Sequence, residues 1–109
     1  METVELIKEQ IGNNDVLLYM KGTPQFPQCG FSSRAVEALT HIGRPFAYVN
    51  IFDHPEIRAE LPKYANWPTF PQLWVKGELV GGCDIITEMF QSGELKPLVE
   101  EASPAQDAE

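Results

Sequence analysis

Cysteine is scarce in this 109-residue chain: there are two, Cys29 and Cys83, far apart in the sequence. A pair so placed excludes the disulfide framework of a small secreted domain, and in a reducing cytosol both rest as thiols. Long apolar runs are missing as well, and none approaches the roughly 18 residues that span a bilayer. The N-terminal stretch carries Glu2, Glu5, Lys8, Glu9 and Asp15, which leaves no room for the apolar segment of a signal peptide. The expectation is a soluble, cytoplasmic protein with no membrane partner. Positive charge is also short, with eight Lys and Arg against sixteen Asp and Glu for a formal charge of −8. That balance argues against the broad basic surface that nucleic acid requires. Glu94, Glu100, Glu101, Asp107 and Glu109, opposed only by Lys96, supply half of the excess, so the rest of the chain is mildly acidic.

What is present suits one domain: the length and the 43% apolar content allow a single core without disulfides or structural metal. Residues 1–101 read as that domain and 102–109 as a disordered acidic tail. Val4, Ile7 and Ile11 recur at helical spacing before Gly12, which predicts a short amphipathic helix over 2–11 with a glycine stop. Val16 to Met20 is a continuous apolar run of strand length, the pattern of a strand covered on both faces. A turn-rich loop, Lys21 to Gln28, leads to Cys29, and from Ser32 the positions Ala35, Val36, Leu39 and Ile42 follow a helix that Gly43 ends. Phe46 to Asn50 is a second strand, parallel to the first in a βαβ unit. Asp53 and Glu56 resemble a helix-opening capping pair, and Pro62 is expected to kink or split the helix that follows. Gln72–Val75 and Glu78–Gly81 are short strands joined by a tight turn at Lys76-Gly77. Two helices close the chain, one from Cys83 and one over about 94–101. The predicted architecture is α/β, with four strands and helices on both faces.

Cys29 is the residue with chemistry to offer. At a helix start, unpaired amides and the helix dipole favour a thiolate, which is both the nucleophile of disulfide exchange and a ligand for soft metals. A second reading stays open from position alone, that of a small buried apolar residue. Three residues on, where a dithiol redox protein carries its resolving cysteine, stands Ser32. A mixed disulfide on Cys29 must therefore be released by an outside thiol, and Cys29 cannot be lost to a local disulfide. His41 and His54 could join the two cysteines around zinc, but the order Cys29, His41, His54, Cys83 lacks any short ligand pair.

Lys21-Gly22-Thr23-Pro24, Cys29-Gly30-Phe31-Ser32, Trp67-Pro68-Thr69-Phe70-Pro71-Gln72-Leu73 and Gly81-Gly82-Cys83-Asp84, in this order and spacing, resemble the monothiol, CGFS-type glutaredoxins of the single-domain bacterial kind. The resemblance covers about residues 3–100. It implies a thioredoxin-like (glutaredoxin) fold with a four-stranded mixed sheet flanked by helices, a glutathione site, and a labile 2Fe-2S cluster bridging two protomers. In that family each protomer gives one cysteine thiolate, here Cys29, and one bound glutathione thiolate. Four thiolates are the usual set for such a cluster, and one chain with two cysteines cannot supply them.

The resemblance further implies that Lys21, Arg58 and Lys63 meet the glycyl carboxylate of glutathione or the cluster region; read alone, each could be a solvated surface cation. Thr69, Phe70 and Pro71 would present backbone to the extended peptide. Pro71 resembles the family's cis-proline, the alternative being an ordinary trans proline at a strand start. Gly82, with the amides of Cys83 and Asp84 at a helix start, would hold the γ-glutamyl carboxylate, and Asp84 could pair with the ammonium or serve only as a cap. Cys83 is read as a backbone contact and packing residue, with an oxidative disulfide to Cys29 left open. Phe31 is expected to shield the Cys29 sulfur, Trp74, Phe46 and Tyr48 to be core, and Trp67 to brace the proline turn. The implied function is a homodimer that carries the cluster to apo iron-sulfur proteins, with BolA-like proteins as alternative partners. A second function is open, a glutathione-dependent thiol-disulfide oxidoreductase that uses Cys29 as its nucleophile.

Overall fold

In the computed structural model, which describes residues 2–103, the apolar run Val16–Met20 forms strand β1 with all five residues buried. A strand apolar at every position must be covered on both faces. Its neighbours in the sheet are β2 (Ala47–Asn50), parallel to it, and β3 (Gln72–Val75), antiparallel; β4 (Glu78–Gly81) pairs antiparallel with β3, giving the order β2-β1-β3-β4. Leu18 and Met20 join Leu73 and Val75 in a core closed by helices α2 (Gly30–Ile42), α4 (Cys83–Ser92) and α5 (Leu95–Ala102). Leu17, Tyr19 and Trp74 face the opposite core, under α1 (Thr3–Asn13) and α3 (Pro55–Ala65). The expected mixed sheet between two helical layers is therefore formed, with the elements in the expected order. No helix among the described residues is long and apolar enough to cross a membrane.

Several local expectations fail for identifiable reasons. Pro62 does not split α3, which continues to Ala65 and ends at Asn66 in the left-handed conformation. The proline removes one donor near the end of the helix, while Ile57 and Leu61, both fully buried, keep the whole helix on the sheet. Asp53 is not a cap. Pro55 sits in the first turn and sets the start of α3 at His54, which makes no side-chain cap bond, and Asp53 instead accepts from the Asn50 amide at 3.5 Å. Gly12 does not stop α1, which runs on to Asn13, where the Asn14 side chain donates to the Gln10 carbonyl at 2.8 Å. Tyr48 is 42% exposed rather than core, because β2 is an edge strand whose Ala47 and Val49 are the residues packed inward. Ala102, expected as the first residue of the tail, closes α5 and is buried against the core, and residues 104–109 lie outside the described residues.

Because β1 is an inner strand that contributes to both cores, truncating it should be costly. Leu18→Ala, at a fully buried position, is expected to lower unfolding free energy by about 2–5 kcal/mol in urea titration. A loss under about 1 kcal/mol would show that the core collapses around the deletion.

Candidate functional site

The thiol's position is set by backbone. Cys29 is the N-cap of α2, extended at φ −156° and ψ 137°, so the first-turn amides of the helix lie beside its side chain. The loop before it is closed by its own hydrogen bonds. The Gln28 amide donates to the Lys21 carbonyl at 2.9 Å, the Phe26 amide donates to the Thr23 carbonyl at 3.0 Å, and Gly22 bridges Pro27. Gly22 has a φ of +94°, and a Cβ there would stand 2.5 Å from the Phe26 carbonyl oxygen, so the turn requires glycine. Two side chains then tie the loop to the body of the protein. The Lys21 amide donates to Ser32 Oγ at 3.1 Å, and Asn50 Oδ1 accepts from the Gly22 amide at 2.9 Å and from the Phe52 amide at 3.0 Å.

The Cys29 thiol is held below the usual cysteine range, chiefly by the Ser32 amide donating to the sulfur. Partial desolvation opposes this, while the Phe31 amide, the Lys21 charge and the Ser32 hydroxyl act in the same direction as the main cause. Cys29 is partly exposed and Cys83 is buried, and both are free thiols. The reading of Cys29 as an inert buried residue is thus set aside.

A cleft of about 490 Å³ opens between the Lys21 end of β1, α3, the 67–71 segment and the start of α4. Lys21, Arg58, Thr69, Phe70, Cys83 and Asp84, all expected in the site, line it together with Phe31. Arg58 and Pro62, four residues apart, share the helix face that borders the cleft, and the Arg58 guanidinium lies over the Phe52 ring at 5.3 Å. Lys63 falls off that face and stands exposed in the last turn of α3, away from the cleft. Pro71 and Gly82 are buried behind the lining. A Cβ on Gly82 would stand 3.3 Å from the Pro71 carbonyl oxygen and 3.3 Å from Trp67 Nε1, so glycine allows this approach. The Phe70–Pro71 peptide bond is cis, as the resemblance implies. Phe31 is 55% exposed, a rim residue of the cleft. Cys29 itself is not among the lining residues, and is connected to the cleft through Lys21 and Phe31.

At the far wall, Gly82 is the N-cap of α4, and Asp84 lies exposed in its first turn. The free amides there make an end that favours anions, while the carboxylate of Asp84 offers a partner for a cation. The site therefore presents two cations, a helix N-terminus, one carboxylate and a reactive thiol around one elongated space. Three contributors escaped the sequence reading: Ser32 as an acceptor, Asn50 and Gln72. The signal for Gln72 was a polar residue opening an apolar strand. The Ser32 acceptor role and the tie from Asn50 to the loop carried none, because the Lys21 and Gly22 amides they engage are distant in sequence.

A sheet of this order with a thiol capping the helix after β1, and a cis-proline leading into β3, defines a thioredoxin-like protein. The chain belongs to the glutaredoxin family, whose model matches residues 16–80. It is 71% identical over 99 residues to Glutaredoxin 4 of Pasteurella multocida, covering 91% of each chain. The solution structure of reduced poplar apo GrxS14 is 45% identical, with a TM-score of 0.77 and 91% of each chain covered. The holo form of glutaredoxin C1 from Populus tremula × tremuloides is 25% identical, with a TM-score of 0.81, covering 92% of this chain and 88% of that one.

The electrostatics of Cys29 can be read out by alkylation, since the thiolate is the reacting form. With its thiol lowered, the rate of iodoacetamide labelling, followed by mass spectrometry of the Cys29 peptide, should reach half its maximum at a pH below that of an ordinary cysteine. Lys21→Gln removes a stabilising charge and should move that midpoint to higher pH. A wild-type midpoint at or above the ordinary value contradicts the assignment.

Proposed function

We propose that this protein binds glutathione in the cleft and, as a homodimer, carries a 2Fe-2S cluster that it delivers to apo iron-sulfur proteins in the cytoplasm. The observation that carries the reading is Cys29 itself: a partly exposed thiol of lowered pKa, with a hydroxyl rather than a thiol at position 32, and that hydroxyl engaged by the Lys21 amide. Such a thiolate is available as a ligand and is not consumed by a neighbouring cysteine.

Glutathione fits the cleft by its charges. Lys21 and Arg58 would meet the glycyl carboxylate, and the amides at the start of α4 would meet the γ-glutamyl carboxylate, with Asp84 beside the ammonium. Thr69 and Phe70 would offer the middle of the peptide an edge to pair with, as in strand addition. Lys63, outside the lining of the cleft, has no place in this pose. The ligand set is the one the family resemblance implies: one Cys29 thiolate from each of two protomers and one thiolate from each of two glutathiones, the four thiolates usual for such a cluster. A BolA-like protein would replace one protomer in the same arrangement.

A second reading is favoured by the same lowered thiol. The Cys29 thiolate would attack the glutathione sulfur of a protein-glutathione mixed disulfide and release the protein thiolate. A second glutathione thiolate would then attack the Cys29-bound sulfur, giving glutathione disulfide and restoring Cys29.

Anaerobic incubation with iron, sulfide and glutathione tests the carrier role. Visible charge-transfer absorbance should develop, should be absent when glutathione is left out, and should be lost in Cys29→Ser. Absorbance that persists in Cys29→Ser overturns the proposal, and a colourless wild-type protein with brisk Cys29-dependent disulfide turnover favours the second reading.

A further inference from the structure

The 67–71 segment, which brings Thr69 and Phe70 to the cleft, has an unusual problem. Pro68 and Pro71 carry no N–H, so the segment cannot build a hydrogen-bond ladder of its own. Its carbonyls need donors from elsewhere, and one side chain supplies them. Gln72 Nε2 donates to the Trp67 carbonyl at 3.1 Å and to the Thr69 carbonyl at 3.3 Å, using both of its protons. Gln72 Oε1 accepts from the Trp74 indole at 3.2 Å. The residue is fully buried, and its backbone is fixed in β3 opposite Tyr19. A carboxamide so deep in an apolar layer costs free energy unless it is satisfied, and here it is satisfied almost wholly by the wall of the site.

We propose that Gln72 is the positioning residue of the glutathione-binding edge: its buried carboxamide holds the Trp67 and Thr69 carbonyls inward and thereby presents the Phe70 peptide to the ligand. Among the described residues, no hydrogen bond engages the Phe70 N–H or C=O, which leaves both for a bound peptide. The Trp74 indole orients the carboxamide, so that its NH₂ end faces the loop. Gln72 touches no ligand itself. The inference rests on the glutathione reading above and adds to it the residue that sets the edge.

Gln72→Met keeps length and volume and deletes both donors and the acceptor. Calorimetric titration with reduced glutathione is expected to show a dissociation constant raised about tenfold, the cost of mispositioning one hydrogen-bonded edge. In the same protein the Trp74 indole N–H resonance, having lost its acceptor, should move upfield. Val75→Ala, in the same strand but buried in the opposite core, is the control for mere destabilisation and should leave the affinity within about twofold. If Gln72→Met does not fold, the wild-type protein carries the test. Its Gln72 side-chain NH₂ resonances should exchange slowly with solvent and shift on glutathione addition, while those of the exposed Gln91 do neither. A folded Gln72→Met protein that binds as wild type, or Gln72 resonances unmoved by saturating glutathione, overturns the positioning role. A wild-type protein that fails to bind millimolar glutathione overturns the underlying glutathione reading and the positioning role with it, and is told apart by needing no variant.

Discussion

The Lys21 amide, at the end of β1, donates at 3.1 Å to the hydroxyl of Ser32, a fully buried residue in the first turn of α2. This contact joins an inner strand of the sheet to the helix that carries the thiol. It leaves the Lys21 charge close enough to act on Cys29, and it anchors one end of the loop that Gly22, Gln28 and Asn50 then close. It also explains why position 32 suits oxygen. A hydroxyl accepts an amide proton well and a thiol accepts one poorly, so the residue that fails to resolve a mixed disulfide is the one that fixes the geometry of the nucleophile. A structural need and a chemical restriction meet in a single side chain.

The charge distribution separates body from site. A formal charge of −8 describes the chain, but half of it comes from the stretch beginning at Glu94, while the cleft has Lys21 and Arg58 on one wall and the N-terminus of α4 on the other. Among the described residues, Asp84 is the sole acidic residue lining it. An acidic protein can therefore hold an anionic peptide, because the field that matters is that of a few fixed groups at short range.

The layers of the fold were legible because hydrophobic patterning decides them. Five apolar residues in a row read as a doubly covered strand, and the helical spacing from Ala35 to Ile42 as a face turned to a core. The cleft was legible to the extent that its residues lie in short motifs, which is why Lys21, Arg58, Thr69, Phe70, Cys83 and Asp84 converge as expected. What escaped was settled by tertiary context. Pro62 stays inside a helix because Ile57 and Leu61 hold that helix down. Tyr48 is exposed because β2 has no neighbour on its outer side. Lys63 misses the cleft by one step of helical rotation from Pro62. Asn50 accepts from a Gly22 amide that only the folded chain brings near, while Gln72 binds carbonyls close to it in sequence and was marked only by standing as a polar residue at the head of an apolar strand.

In the proposed function the chain lacks the thiolates to hold a cluster alone and would borrow them from glutathione and from a second copy of itself. Native mass spectrometry of the anaerobically loaded protein tests this most directly. The account predicts a single species of two chains, one 2Fe-2S unit and two glutathiones, which falls apart to apo monomers when the cluster is removed. A cluster carried on one chain, or on two chains without glutathione, would contradict it.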